Sequence, residues 1–299
     1  MRIAAISDIH ARPGGLDNAL IDAIHQRVEE LSPDVFVIAG DVSESADDLE
    51  RNLSNLAVSG TRNLYVAGNH DVWFEDEKDL GSLEKYSRTI GSICAGAGFS
   101  HLPDEVQIDN GVAFVGSMGW YDYSFKRDDL EIPEKNYFEK QWKGAVWRDL
   151  YAIDWSYTDQ EFTQLLDSKL KYDLKTLPSS VSTVIFVSHH LPFRDLTLYK
   201  DYLPWDFFSA FMGAESTGEI LLNDRRVALS ISGHSHIRRK IKMNGLTAIT
   251  VPLGYGRPPD STLSSLAHDA IAELEITDGN LTVHHYVEGN LCEGLPYVF

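Results

Sequence analysis

The chain has almost no cysteine: two residues in 299, Cys94 and Cys292, sit in unrelated contexts without the paired spacing of a thiolate metal site. That excludes a disulfide-stapled fold and a zinc-ribbon centre, and it predicts two reduced, structural thiols in a cytoplasmic protein. Basic residues are scarce as well. Lysine and arginine number 26 against 45 acidic residues, a formal net charge of −19, which disfavours a protein that grips long nucleic acid through its phosphates. The acidity itself reads as solubility rather than as a docking surface. No apolar run approaches membrane-spanning length, and Met1-Arg2-Ile3 runs straight into the first apolar strand, which predicts no signal or transit segment ahead of it. Internal repeats and low-complexity segments are missing too. What remains is a chain of 43% hydrophobic residues, enough for one large core.

The order of its elements is α/β. Ile3 to Ile6 reads as a buried strand, Leu16, Leu20, Ile24, Val28 and Leu31 follow at helical spacing, and Pro33 precedes a second strand from Val35 to Ala39. Strand, helix and strand at that distance make a parallel βαβ unit. Leu49, Leu53 and Leu56 mark the next helix, Leu64 to Ala67 a third strand and Leu83 to Ile93 a third helix. Val106 to Ile108 and Val112 to Val115 form a hairpin around Asn110-Gly111, so the first half is expected to be a mostly parallel sheet with helices on both faces. The stretch 117–180 breaks this rhythm with Trp120, Tyr121, Tyr123, Trp142, Trp147 and Trp155 among many charges, and with a helix from Thr158 to Leu170. It is expected to be an insertion or cap within a single domain spanning 1–299. Its rings either stack on a substrate's leaving group or pack the insertion onto the sheet. Strands from Val184 to Val187, Val227 to Ile231, Ile237 to Lys242, Leu246 to Val251, Ala270 to Ile276 and Leu281 to Val287 then predict a second, β-rich sheet facing the first.

The informative feature is how the apolar strands end. They run into Asp8-Ile9-His10, Gly40-Asp41, Gly68-Asn69-His70-Asp71, His189-His190 and Gly233-His234-Ser235-His236. Any one of these alone is an ordinary turn or a surface histidine. Five together are the pattern of ligands gathered at one edge of a sheet. Asp8 and His10 are two apart, as are His234 and His236, and in extended backbone such pairs point to the same side. The inventory is Asp8, His10, Asp41, Asn69, His189, His234 and His236: two carboxylates, one amide and four imidazoles. That is too many for one tetrahedral zinc and suits two divalent cations sharing a carboxylate; nitrogen and oxygen donors without thiolate favour Mn, Fe or Zn. About four positive charges against the two of Asp8 and Asp41 would make the site electropositive, drawing a small phosphorylated substrate into an acidic protein. His70 offers a proton donor beside them. Arg12, Arg194, Arg257 and His190 are candidate phosphate contacts, Arg12 first because it follows the first block directly.

As a set, in order and over roughly Met1 to Val251, these blocks resemble the calcineurin-like metallophosphoesterases. The resemblance implies a four-layer α/β/β/α sandwich of two mixed sheets flanked by helices. It implies one cation on Asp8, His10 and His236, another on Asn69, His189 and His234, Asp41 bridging them, and His70 as an acid rather than a ligand. The family pattern needs only one of His189 and His190, and His189 is chosen because it comes directly after the strand. The implied activity is hydrolysis of phosphomonoester or phosphodiester bonds in a small substrate by a dimetal-activated hydroxide, with His70 as general acid. A nuclease or a protein phosphatase of the same superfamily is the alternative, disfavoured by the acidity and the short chain. A non-catalytic scaffold of this fold would lack several metal residues, and here none is missing.

Overall fold

Residues alternate between two apolar surroundings along the central strands, and that alternation builds the layers. The computed structural model describes residues 1–75, 78–203, 205–257 and 262–291; Cys292 lies outside them, while Cys94 is a buried free thiol. Strands β1 (Arg2–Ile6), β2 (Val35–Ala39), β3 (Arg62–Val66) and β4 (Phe99–His101) pair in parallel in that order. The hairpin β5 (Gln107–Asp109) and β6 (Val112–Ser117) begins the second sheet, and β7 (Gln141–Trp142) pairs with β8 (Ala145–Val146) as a separate small ribbon. Strands β9 (Thr183–Ser188), β10 (Val227–Ser232), β11 (Lys240–Met243) and β12 (Leu246–Thr250) complete the second sheet in the order β11-β12-β10-β9-β6-β5. The last two strands, β13 (Ala272–Thr277) and β14 (Asn280–His285), return to the first sheet beside β1.

Ile3, Ala5, Val35, Val37, Leu64 and Val66 face Phe114, Ile185, Val187, Leu229, Ile231 and Ile249 of the other sheet across the central core. The intervening residues Ala4, Ile6, Phe36, Ile38 and Tyr65 face outward onto the helices Gly15–Leu31, Ala46–Leu56, Ile90–Ala97 and Leu263–Ala270. Ala113, Val115, Val184 and Phe186 do the same toward the helices Asp159–Thr176 and Glu215–Asn223. Each fully buried Val, Leu or Ile in these layers contributes about 1.5–3 kcal/mol. The result is the four-layer α/β/β/α sandwich of two mixed six-stranded sheets.

Three details correct the reading of the sequence. Helices cover one face of each sheet, not both faces of the first, because the other face is taken by the second sheet. The hairpin around Asn110-Gly111 belongs to the second sheet, and β13 and β14 belong to the first, so the chain's halves do not map onto the sheets. The expected strand from Ile237 begins only at Lys240, since Thr250 Oγ1 takes up the Ile237 carbonyl and Arg238 pairs with Gly289 instead. Within 117–180, the helix Asp159–Thr176 starts on a Thr158/Glu161 capping box and forms the outer layer of the second sheet. Trp120, Tyr121, Tyr123 and Phe125 are buried, so these rings pack the segment down. Among the described residues no helix is long and apolar enough to cross a membrane.

Candidate metal centre

The C-terminal ends of β1, β2, β3, β9 and β10 lie at one end of the sandwich, and backbone hydrogen bonds fasten the loops there to one another. Asp8 N–H donates to Gly40 O (2.9 Å), His10 N–H to Asp41 O (3.0 Å) and Gly233 N–H to His189 O (3.0 Å). The two sheets are joined by Ser7 N–H to Val251 O (2.9 Å) and Gly254 N–H to Asp8 O (3.0 Å). The loops approach so closely that a Cβ on Gly68 would collide with the Asp41 carboxylate, and one on Gly233 with that of Asp8. The i, i+2 pairs do share a cavity, but not through extended backbone. Asp8, His10, Asp41, His234 and His236 all have positive φ, from 47° to 67°. Left-handed conformations cost a non-glycine residue about 1 kcal/mol or more each, and the tight turns that force them swing the side chains together.

The seven expected donors meet. His189 Nδ1–H donates to Ala39 O at 2.9 Å, which turns its Nε2 inward, 3.2 Å from each of Asp41 Oδ2, Asn69 Oδ1 and His234 Nδ1. His234 Nε2 is bound to Phe211 O at 3.1 Å, so its Nδ1 is the inward atom. On the other side His236 Nε2 lies 3.1 Å from both Asp8 Oδ1 and His10 Nε2, and His10 Nε2 lies 3.7 Å from Asp41 Oδ2. Burial raises the Asp8 carboxyl, but His236 outweighs it and brings the group down to about 2. Burial, and then His189, push His234 down to about 3, which keeps the imidazole neutral as a ligand must be. His189 goes the other way: burial lowers it, but Asp41 and then Asp8 raise it to about 9, so the anionic cage draws positive charge to its centre. Imidazole nitrogens and carboxylate oxygens brought this close fit two divalent cations with Asp41 between them.

Other buried groups hold the cage. The Asp71 carboxylate accepts from the N–H groups of Asp41, Val42, Ser43 and Gly68 at 2.7–3.1 Å, knitting the second and third loops together. Lys85, fully buried, donates to Glu44 O (2.9 Å) and Trp73 O (2.7 Å). Asp149 was not singled out by its sequence, yet its 2%-exposed carboxylate takes four donors. These are Asn69 Nδ2 (3.0 Å), Trp73 Nε1 (2.8 Å), Tyr121 OH (3.0 Å) and Trp147 Nε1 (2.8 Å). Its bond to Asn69 turns the amide oxygen toward His189. Asp149→Asn would set an amide N–H₂ against that donor cluster and release Asn69; metal affinity is expected to fall about 10–100-fold, the usual cost of losing a group that orients a ligand. A metal titration reads this directly, and unchanged affinity would remove Asp149 from the role.

His70 lies at the cleft side of the centre. Its N–H donates to Asp41 Oδ1 (3.0 Å), its Nδ1 meets Glu44 Oε1 (3.3 Å), and its ring stacks on Trp73 at 3.7 Å. Burial opposes its charge, but Asp41 and Glu44 together hold its pKa above the ordinary histidine value. Arg12 lines the cleft with its guanidinium 74% exposed and 3.7 Å from Glu44. Arg148, also missed by the sequence, lines it too, its guanidinium 4.9 Å over the Trp73 ring. His190 is placed differently from its expected phosphate contact. It is 2% exposed, its ring 4.0 Å from that of His234 and against Trp120, because adjacent residues leaving a strand point to opposite sides and His189 takes the inward one. Arg194 is held by Glu215 and the carbonyls of Ser124 and Lys126, and Arg257 by Asp17 and the carbonyls of Ile9 and His10; both brace loops.

The cleft above the centre has a volume of about 870 Å³ and a lining of two kinds. Its apolar lining is Trp147, which lies against His234, with Leu198, Trp205, Phe208 and Met212; its polar lining includes Arg12, Arg148 and Glu44, which meets His70 as Trp73 does.

Comparison with known proteins bears on the fold and the family. The [acyl-carrier-protein] phosphodiesterase PptH of Mycobacterium tuberculosis is 24% identical over 269 residues, 85% of this chain and 78% of that protein. A crystal structure of phosphopantetheinyl hydrolase PptH from Mycobacterium tuberculosis superposes with a TM-score of 0.69 at 22% identity, over 85% of this chain and 89% of that one. A dimetal phosphatase from Danio rerio superposes with a TM-score of 0.55 at 16% identity, over 99% of this chain and 98% of that one. At these identities the superpositions speak to the fold. A family model, calcineurin-like phosphoesterase, matches residues 1–238. A match of that extent places the chain in the calcineurin-like phosphoesterase family, whose members use a dimetal centre, and makes it a metal-dependent phosphoester hydrolase.

Proposed function

We propose that the chain hydrolyses a phosphodiester of a small organic molecule, within a single domain whose 117–180 segment supplies Trp147 and Asp149. Asp8, His10 and His236 hold one divalent cation, Asn69, His189 and His234 a second, and Asp41 both; the donor types suit Mn, Fe or Zn. Bound there, such cations polarise phosphoryl oxygens and lower the pKa of a water molecule. The chain's own groups do the rest. Asp149 keeps Asn69 oriented, Arg12 and Arg148 face an anionic part of the substrate, and His70, its pKa raised by Asp41 and Glu44, supplies the proton that the leaving oxygen needs.

The observation that carries the diester reading is the mixed lining of the one cleft, where Trp147, Leu198, Trp205, Phe208 and Met212 offer apolar surface to an organic ester group and Arg12 and Arg148 offer positive charge to an anionic phosphate. The phosphodiesterase activity in the name of PptH supports it. The buried free thiol of Cys94 supports a cytoplasmic enzyme. The deciding experiment is a turnover screen of metal-reconstituted protein against bis-p-nitrophenyl phosphate, p-nitrophenyl phosphate, a nucleotide panel and a phosphopantetheinyl acyl carrier protein. Turnover of diesters ahead of monoesters is expected. Monoester preference would replace the diester reading with a phosphatase, and no turnover of any ester would overturn hydrolysis of small phosphoesters.

A further inference from the structure

The turn Gly254-Tyr255-Gly256-Arg257 drew notice for its arginine, but its tyrosine is the residue that reaches the chemistry. Tyr255 lines the cleft and is 44% exposed. Its ring stacks on His10 with centroids 4.2 Å apart and planes 25° from parallel, and lies 4.6 Å from the His236 ring. Its hydroxyl is 3.2 Å from His70 Nε2. The other nitrogen of that imidazole, Nδ1, is 3.3 Å from Glu44 Oε1. Carboxylate, imidazole and hydroxyl thus form an unbroken line, Glu44 to His70 to Tyr255, ending in the cleft beside the metal cage. Groups in hydrogen-bond reach of one another along such a line can pass a proton from the imidazole to the hydroxyl as the hydroxyl gives up its own.

The position is built rather than incidental. Arg257 donates to Gly254 O (3.0 Å), Gly256 O (3.1 Å), Ile9 O (2.6 Å) and His10 O (3.0 Å), and is paired with Asp17, so the turn is tied to the loop that carries Asp8 and His10. Gly254 N–H adds a bond to Asp8 O at 3.0 Å. On the far side, Lys85 fixes the carbonyls of Glu44 and Trp73, the two residues that hold His70.

We propose that Tyr255 is a catalytic residue: its hydroxyl, hydrogen-bonded to His70, hands the proton to the leaving oxygen. This rests on the hydrolase reading above and deepens it. The phosphorus–oxygen bond breaks with its electron pair on the leaving oxygen, and that oxygen takes the Tyr255 proton. The phenolate takes the proton on His70 Nε2, and water re-protonates His70 after the product leaves. Glu44 stays ionised and keeps the imidazole in line.

Tyr255→Phe keeps the ring on His10 and removes only the oxygen. The test compares p-nitrophenyl and unsubstituted phenyl esters of whichever phosphate class the wild type turns over, with metal content measured alongside. p-Nitrophenolate leaves readily without a proton; phenolate does not. Activity on the phenyl ester is expected to fall about 10²-fold and on the p-nitrophenyl ester less than about tenfold. In a His70→Gln/Tyr255→Phe double variant the phenyl ester should lose little beyond His70→Gln alone, because groups acting as a unit are not additive. Equal effects on the two esters, including no effect on either, would overturn the role of Tyr255, as would losses that multiply in the double variant. Wild-type protein that turns over neither ester would instead overturn the hydrolase reading itself.

Discussion

Asp41→Asn should abolish metal binding and activity together. Asp41 is 1% exposed, and its two carboxylate oxygens have different tasks. Oδ1 accepts the His70 N–H at 3.0 Å, while Oδ2 lies 3.2 Å from His189 Nε2 and 3.7 Å from His10 Nε2, between the two donor groups. Burial alone would raise this carboxyl, but His189 and His70 outweigh it and hold it well below the ordinary range, so it is an anion at neutral pH. An asparagine must keep its carbonyl on His70 N–H, which leaves the N–H₂ at the Oδ2 position. An amide N–H₂ there cannot bind a cation. Loss of the shared anion should therefore lower turnover by about 10³-fold or more, the several kcal/mol that a Lewis-acid centre contributes. The apoprotein, having lost a carboxylate whose lowered pKa marks its charge as stabilising in the fold, should melt below wild type, and added Mn²⁺ should raise the Tm of wild type only. A variant that still carried two metal ions per chain would remove Asp41 from between them.

What the sequence made legible was the end of each strand. Apolar runs such as Val35–Ala39 and Val227–Ile231 are buried on both faces, so they stand out, and the glycine or polar residue that stops each run must sit at the rim of a sheet. From there the donors could be counted. Their conformation could not be read, because extended backbone was the natural expectation for Asp8 and His10 and the turns placed both in the left-handed region instead. Assigning β13 and β14 to the first sheet was also beyond pattern reading: Leu274 and Ile276 alternate as any half-buried strand does, and only packing against Ile3 settles the partner. Asp149 and Tyr255 were hidden for a further reason. Asp149 reaches Asn69 across 80 residues and Tyr255 reaches His70 across 185, and neither sits in a repeated block. A tertiary hydrogen bond over that separation leaves no periodicity behind. The aromatic segment showed the same limit, since Trp120 and Trp147 look alike in sequence although one is buried and the other lines the cleft.

His70→Gln separates acid catalysis from metal binding, and its expected result is the reverse of that for Asp41. Glutamine can keep the backbone N–H on Asp41 Oδ1 and reach toward Glu44 with its amide, so the cage of seven donors is left standing. Both cations should remain, with a Tm response to Mn²⁺ like that of wild type. What disappears is the imidazole, whose pKa Asp41 and Glu44 raise above the ordinary histidine value. On an ester whose leaving group needs a proton, turnover should fall roughly 10²–10⁴-fold, the range for a positioned general acid. KM should change little, because the interaction lost is one made as the bond breaks rather than on binding. On the p-nitrophenyl ester the loss should be smaller. Metal content and the two rates are measured on one preparation, so each outcome has a distinct meaning: wild-type turnover on the demanding ester removes His70 from the chemistry, and loss of metal moves it into the cage.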